Sequence, residues 1–230
     1  MLWMKAWLET RWRFFFILAI GLLTIVMGEQ GGGLGSIEHA HTLMVMQSAV
    51  SIFATIYLAG AGIRTQSPFR VKAGLHGSTL FTLSMPVSRP RLLATRAAFG
   101  LMEAAGVVAV MIVCAWSLFP LVRGNSTFID MLKLLLSAVA CISCFYCVSV
   151  MVSTVLEETW QVYGSLCISG VAWFASDRLG LPSSLNVFGF MTGGSPLVTH
   201  SFPLGAMAVS LVASVCFFLI ALVIVTTYEY

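Results

Sequence analysis

LGAMAVSLVASVCFFLIALVIVT, residues 204–226, runs for twenty-three residues without one charged side chain. As a helix it would reach about 35 Å at 1.5 Å per residue, enough to cross a bilayer core of about 30 Å. Residues 42–63 and 132–156 repeat the pattern over twenty-two and twenty-five residues, with Lys133 their only charge. Shorter or less uniform apolar runs at 14–28, about 97–119 and 161–175 bring the candidate spans to six. Composition agrees, since 59% of the 230 residues are hydrophobic and only 9% charged. A soluble domain carries about a quarter of charged residues. The reading is therefore an all-α integral membrane protein, a single transmembrane domain over 1–230. No stretch outside the apolar runs is long enough for a domain with its own core.

The distribution of charge orients these spans. Lys5, Arg11, Arg13, Arg64, Arg70, Lys72, Arg89, Arg91 and Arg96 fall on one side, and only Arg123, Lys133 and Arg178 on the other. By the positive-inside rule both termini are cytoplasmic. Trp3, Trp7, Trp12 and Trp160 then lie near the inner interface and Trp116 and Trp173 near the outer one, as aromatic belts require. Because the basic residues border membrane segments instead of sharing one soluble face, nucleic acid is not an expected partner; membrane lipid is.

Three segments stand apart from the spans. In residues 1–13, Lys5, Glu9 and Arg13 recur at i, i+4 and i+8 while Met4, Trp7 and Leu8 occupy another face, which predicts an interfacial helix. Residues 176–203 mix Pro182, Gly189, Gly193, Gly194, Pro196 and Pro203 with Phe188, Phe190, Met191 and Phe202. An apolar yet Gly/Pro-broken stretch predicts re-entrant pieces before the sixth span. The third segment, 64–96, is the only sizeable cytoplasmic connection, with six basic residues and no acid. Topology accounts for its arginines, but not for the stretch in which Leu80, Phe81 and Ser84 share a helical face before Pro86 stops the helix. A short amphipathic helix held below the membrane is a docking element.

At this segment the chain resembles the permease subunits of type-2 ABC exporters, whose first cytoplasmic loop reads like G-[ST]-x-x-x-x-L-x-x-P-V-S-R before an apolar helix. Gly77, Ser78, Leu83, Pro86, Val87, Ser88 and Arg89 match it, and Leu92, Leu93 and Arg96 suit the start of the following helix. Where the family often carries a glutamate shortly before the glycine, this loop has Arg70, Lys72 and His76. The resemblance implies a coupling helix between spans two and three, gripped by a separate ABC ATPase subunit. It further implies a second permease chain, identical or paralogous, a bacterial host, and a place in the plasma (inner) membrane. ATP and Mg would be bound by the ATPase, so this chain is expected to be no enzyme and to hold no cofactor. It has no G-x-x-x-x-G-K-[ST] phosphate loop, and Gly31-Gly32-Gly33-Leu34-Gly35 lacks the lysine.

Other residues carry weaker signals. Glu103 is the one acid inside a span; with the third helix starting near Leu92 it would lie about 16 Å deep, near the midplane. An acid there lines a pathway, carries a proton, or is a neutral packing group. It motivates the alternative of a stand-alone ion-coupled carrier, although such carriers usually hold several intramembrane ionisable residues. A membrane-integral enzyme would need clustered catalytic groups within the spans, and the sequence offers none. Cys141, Cys144 and Cys147 form CxxCxxC, but three thiolates in a bilayer would need a strong compensating charge. With Ser137, Ser143, Ser149 and Ser153 they read as a close helix–helix face, not a metal centre. Glu157 and Glu158, on the turn between spans four and five, are candidates for contact with the basic first loop or the ATPase.

Overall fold

The computed structural model describes residues 2–30, 37–59, 88–118, 127–156, 158–180, 182, 185–188 and 202–227. Among them are six long helices: α1 (Leu2–Gln30), α2 (Ile37–Leu58), α3 (Arg89–Leu118), α4 (Phe128–Ser153), α5 (Glu158–Arg178) and α6 (Leu204–Thr227). The protein is thus all-helical, and α1, α3, α4 and α6 are long and apolar enough to cross a membrane. In α2 the described apolar stretch is Gln47–Leu58. α5 covers 21 residues, beyond the expected 161–175, because Glu158, Asp177 and Arg178 extend it at both ends. Charge marks where an apolar run stops, not where a helix does.

α1 is one unbroken helix, so the amphipathic stretch at 1–13 forms its first three turns and continues directly into the first span. No glycine or proline interrupts the chain before Gly21. α3 begins where the sequence supplies a start. Ser88 occupies the cap position, its carbonyl accepting from the Leu92 N–H at 3.1 Å, and Pro90 sits in the first turn, where a missing N–H costs nothing. At the far end of the bundle α4 opens with a capping box. Thr127 and Asp130 each accept the other's backbone N–H, at 3.3 and 3.1 Å, and Lys133 pairs with Asp130 at 3.3 Å.

The helices pack through small residues, as expected where lipid removes the hydrophobic incentive to associate. Leu93, Ala97, Gly100, Ala104, Val107 and Met111 form the buried stripe of α3, in alternating steps of four and three residues. α1 runs parallel to this stripe: Trp3 and Trp7 meet Phe99 edge-on at 5.6 and 6.3 Å, and further along Gly21 lies against Met111. The most extensive interface joins α4 and α6. Ala206, Ser210 and Ser214 are buried there, while Val212, Val215 and Val223 of α6 face outward. Ser210 Oγ donates toward the Ala140 and Cys141 carbonyls, both at 2.9 Å, and Ser143 and Ser214 share a 2.7 Å hydrogen bond. Cys141 and Cys147 are buried in this part of the core, which is the close helix–helix face read from the sequence.

Candidate functional site

α1 and α3 begin, and α2 and α4 end, at one end of the bundle, which also carries Arg11, Arg13, Arg89, Arg91 and Arg96. Arg13 lies over the Tyr57 ring, 5.5 Å from its centroid, which ties α1 to the last turn of α2. From this basic end the segment 60–87 departs. Gly77, Ser78, Phe81, Leu83, Pro86, Val87 and Glu157 lie outside the described residues, as does the side chain of Glu158. Ser88 is exposed and Arg89 half-buried at the start of α3, so the last two residues of the motif form the junction between the loop and the helix it enters.

The junction at the other side of the loop is held by side chains. The last carbonyls of a helix have no partner within that helix, and in a bilayer each costs several kcal/mol if left alone. The Ile56 carbonyl accepts from Ser149 Oγ of α4 at 3.1 Å and from Gln161 Nε2 of α5 at 3.2 Å. Gln161 also donates to Ser149, which receives a further bond from Ser165 at 3.1 Å. Gln161, Ser149 and Ser165 are completely buried. This polar knot fastens the end of α2 to the helices flanking the Glu157-Glu158 turn. Ser149 was visible in the sequence as a small residue; Gln161 was not singled out, although it is the one amide in the fifth apolar run.

Glu103 stands at the midpoint of α3, fourteen residues from Arg89. α3 starts at Arg89, and its first turns run beside Trp3 and Trp7, so Glu103 comes level with Thr10, where the apolar window of α1 begins. Fifteen residues separate it from Leu118 at the other end of α3, about 22 Å. Glu103 is only 5% exposed; its Oε1 is 2.5 Å from Thr10 Oγ1, and its Oε2 has no hydrogen-bond partner. The Tyr146 hydroxyl lies against Gly100, one turn before Glu103, within electrostatic reach of it. Beside this group a cavity of about 20 Å³ is lined by Thr10, Arg96, Gly100, Tyr146 and Ser153, room for about one water.

Gly100 makes the approach of Tyr146 possible. A Cβ there would overlap the hydroxyl of a rigid, buried ring. Gly100→Ala gains about 0.5–1 kcal/mol of helix propensity but incurs about 1–3 kcal/mol of overpacking, so a net loss of about 1 kcal/mol is expected. Gly106→Ala is the matched control, because its Cβ would meet only Phe14 at an ordinary 4.0 Å. Thermal midpoints in detergent should fall for the first variant and hold or rise for the second.

A larger cavity, about 230 Å³, opens between α4, α5, α6 and residues 185–188; its walls include Cys144, Phe145, Ser169, Ser176, Asn186 and Phe217. The short segment 185–188 folds back onto α4. Leu185 and Asn186 close a turn on the Pro182 carbonyl, Asn186 Oδ1 accepts from the Phe188 N–H at 3.0 Å, and Phe188 meets Phe145 edge-on at 5.3 Å. Among the described residues this is the part of the expected 176–203 region that packs on the bundle. Glu103 is not among the cavity's walls. No protein-family model, curated protein or solved structure matches this chain.

Proposed function

We propose that the chain is the permease subunit of an ATP-binding-cassette exporter, crossing the inner membrane six times with both termini in the cytoplasm. A separate ATPase grips the 64–96 segment, and a second permease chain, identical or paralogous, completes the pathway. The observation that carries this reading is the run Gly77 to Arg89, placed between two helices that end and begin at the same basic end of the bundle. Both junctions suit force transmission. The Ser88 carbonyl accepts from the Leu92 N–H at the start of α3, and the end of α2 is fastened through Ser149 and Gln161 to α4 and α5. Closure of two ATPases draws the paired segments together, and α2 and α3 tilt as rigid bodies to reshape the pathway. The cavity beside Phe188 and Phe145 is the part of that pathway, or of its portal, that one chain supplies.

The carrier alternative gains no support from Glu103, which is packed against Thr10 and apart from the larger cavity. Purification of the tagged full chain from its native membranes tests the exporter reading. The expected result is an equimolar partner containing a phosphate loop, with ATP hydrolysis that vanadate inhibits. A folded chain recovered without any such partner, and catalysing transport alone in proteoliposomes, would overturn it.

A further inference from the structure

Thr10 Oγ1 stands between two oxygens. The Ala6 carbonyl, one turn back on α1, is 3.0 Å away, and Glu103 Oε1 of α3 is 2.5 Å away. A threonine hydroxyl owns one hydrogen, and a carbonyl owns none. Were Glu103 ionised, two acceptors would compete for that single hydrogen, and one buried O···O contact would have nothing between its atoms. A neutral carboxylic acid resolves the count: Thr10 donates to Ala6, and the Glu103 O–H donates to Thr10. We infer that Glu103 holds a bound proton in this conformation, and that this proton makes the bond between α1 and α3.

The surroundings leave the charged form without compensation. Glu103 is 95% buried, and among the described residues its Oε2 has no partner and no ion pair reaches it. Among the described side chains of α1 the nearby cations are Arg11, directed over Trp12, and Arg13, directed over Tyr57 of α2. α3 contributes Arg96, which lines the small cavity, and α4 contributes Tyr146 and Cys147. An isolated ionised carboxylate in such a site is far more costly than a neutral one.

The contact therefore depends on the proton. It is present at low pH and lost as the pH rises and the proton leaves, the reverse of a salt-bridged carboxylate. Glu103 stands on the helix that follows the proposed coupling segment, but the inference rests on the Thr10 geometry and holds whether or not the exporter reading does.

Infrared difference spectroscopy on the full chain in lipid nanodiscs, wild type against Glu103→Gln, reads the proton directly. The expected result at neutral pH is a protonated-carboxyl C=O band above the amide I region, shifted in D₂O and absent from the variant. A wild-type spectrum showing only ionised-carboxylate bands at this position would overturn the inference. Thr10→Val supplies the second arm. It keeps the volume but removes the acceptor, so the band should move to higher frequency; an unmoved band would mean that the proton does not lie on the Thr10 contact, and would equally overturn it.

Discussion

Under the proposed exporter function, Phe81→Asp combined with Arg89→Glu is expected to abolish ATP-driven transport while leaving the chain folded in the membrane. Phe81 is the bulkiest apolar side chain on the expected coupling helix, and Arg89 is the last residue of the motif and the first of α3. Aromatic and arginine side chains dominate interface energetics, each contributing roughly 1–2 kcal/mol or more. Losing both is worth roughly 2–4 kcal/mol, about a 30- to 1000-fold weaker grip on the ATPase. The measurement is the proposed ATPase retained on the tagged chain, together with the thermal midpoint of the chain. Phe81→Asp alone separates the two effects, because it leaves the α3 start untouched. Full retention of a coupled ATPase by the double variant would remove this surface from the contact.

The second large effect concerns the α4–α6 pair. Ser210→Leu is expected to lower stability by about 2–4 kcal/mol. Ser210 is fully buried, with its hydroxyl 2.9 Å from two carbonyls of α4, and that spacing leaves no room for two more heavy atoms. Overpacking supplies about 1–3 kcal/mol of the loss. The lost interhelical hydrogen bond adds about 0.6 kcal/mol, and lipid offers no hydrophobic offset. The corresponding drop in thermal midpoint is roughly 4–16 °C for a chain of this size. A thiol-reactive fluorophore can follow it, since buried Cys141 and Cys147 become accessible as the helices part. Ser210→Ala removes only the hydrogen bond and should shift the midpoint by about 1–2 °C. Equal shifts in both variants would show that the bond, not the close approach, holds the pair.

Local patterns were legible in the sequence; pairings across the bundle were not. The run 204–226 announced α6 almost to the residue, and Ser88 with Pro90 marks the α3 start by chemistry that involves no other helix. The Cys141 to Ser153 stripe also revealed its close-packed character, because small residues at helical spacing fit only a near neighbour. The partner of Glu103 could not be read this way. It depends on α1 and α3 running side by side, with Thr10 and Glu103 separated by 93 positions. The same distance in sequence hid the partners of Gln161 and the role of Gly100, whose neighbour Tyr146 belongs to α4. A lone amide in an apolar run remains a usable signal, since burying one in lipid requires a partner. Helix lengths failed for a simpler reason. The uncharged run 161–175 gave only the middle of α5, whose ends are charged.

The end of α2 has a further consequence. Its terminal Ile56 carbonyl accepts from side chains 93 and 105 positions further along the chain. The end of α2 is thus tied to α4 and α5, and the Ser88 carbonyl accepts from Leu92 within α3 itself. Exchange of residues 60–87 is therefore expected to leave the register of the described helices unchanged. Such a segment is a removable cassette: a foreign loop of the same polarity, spliced between Ala59 and Ser88, should inherit this scaffold while bringing its own partner.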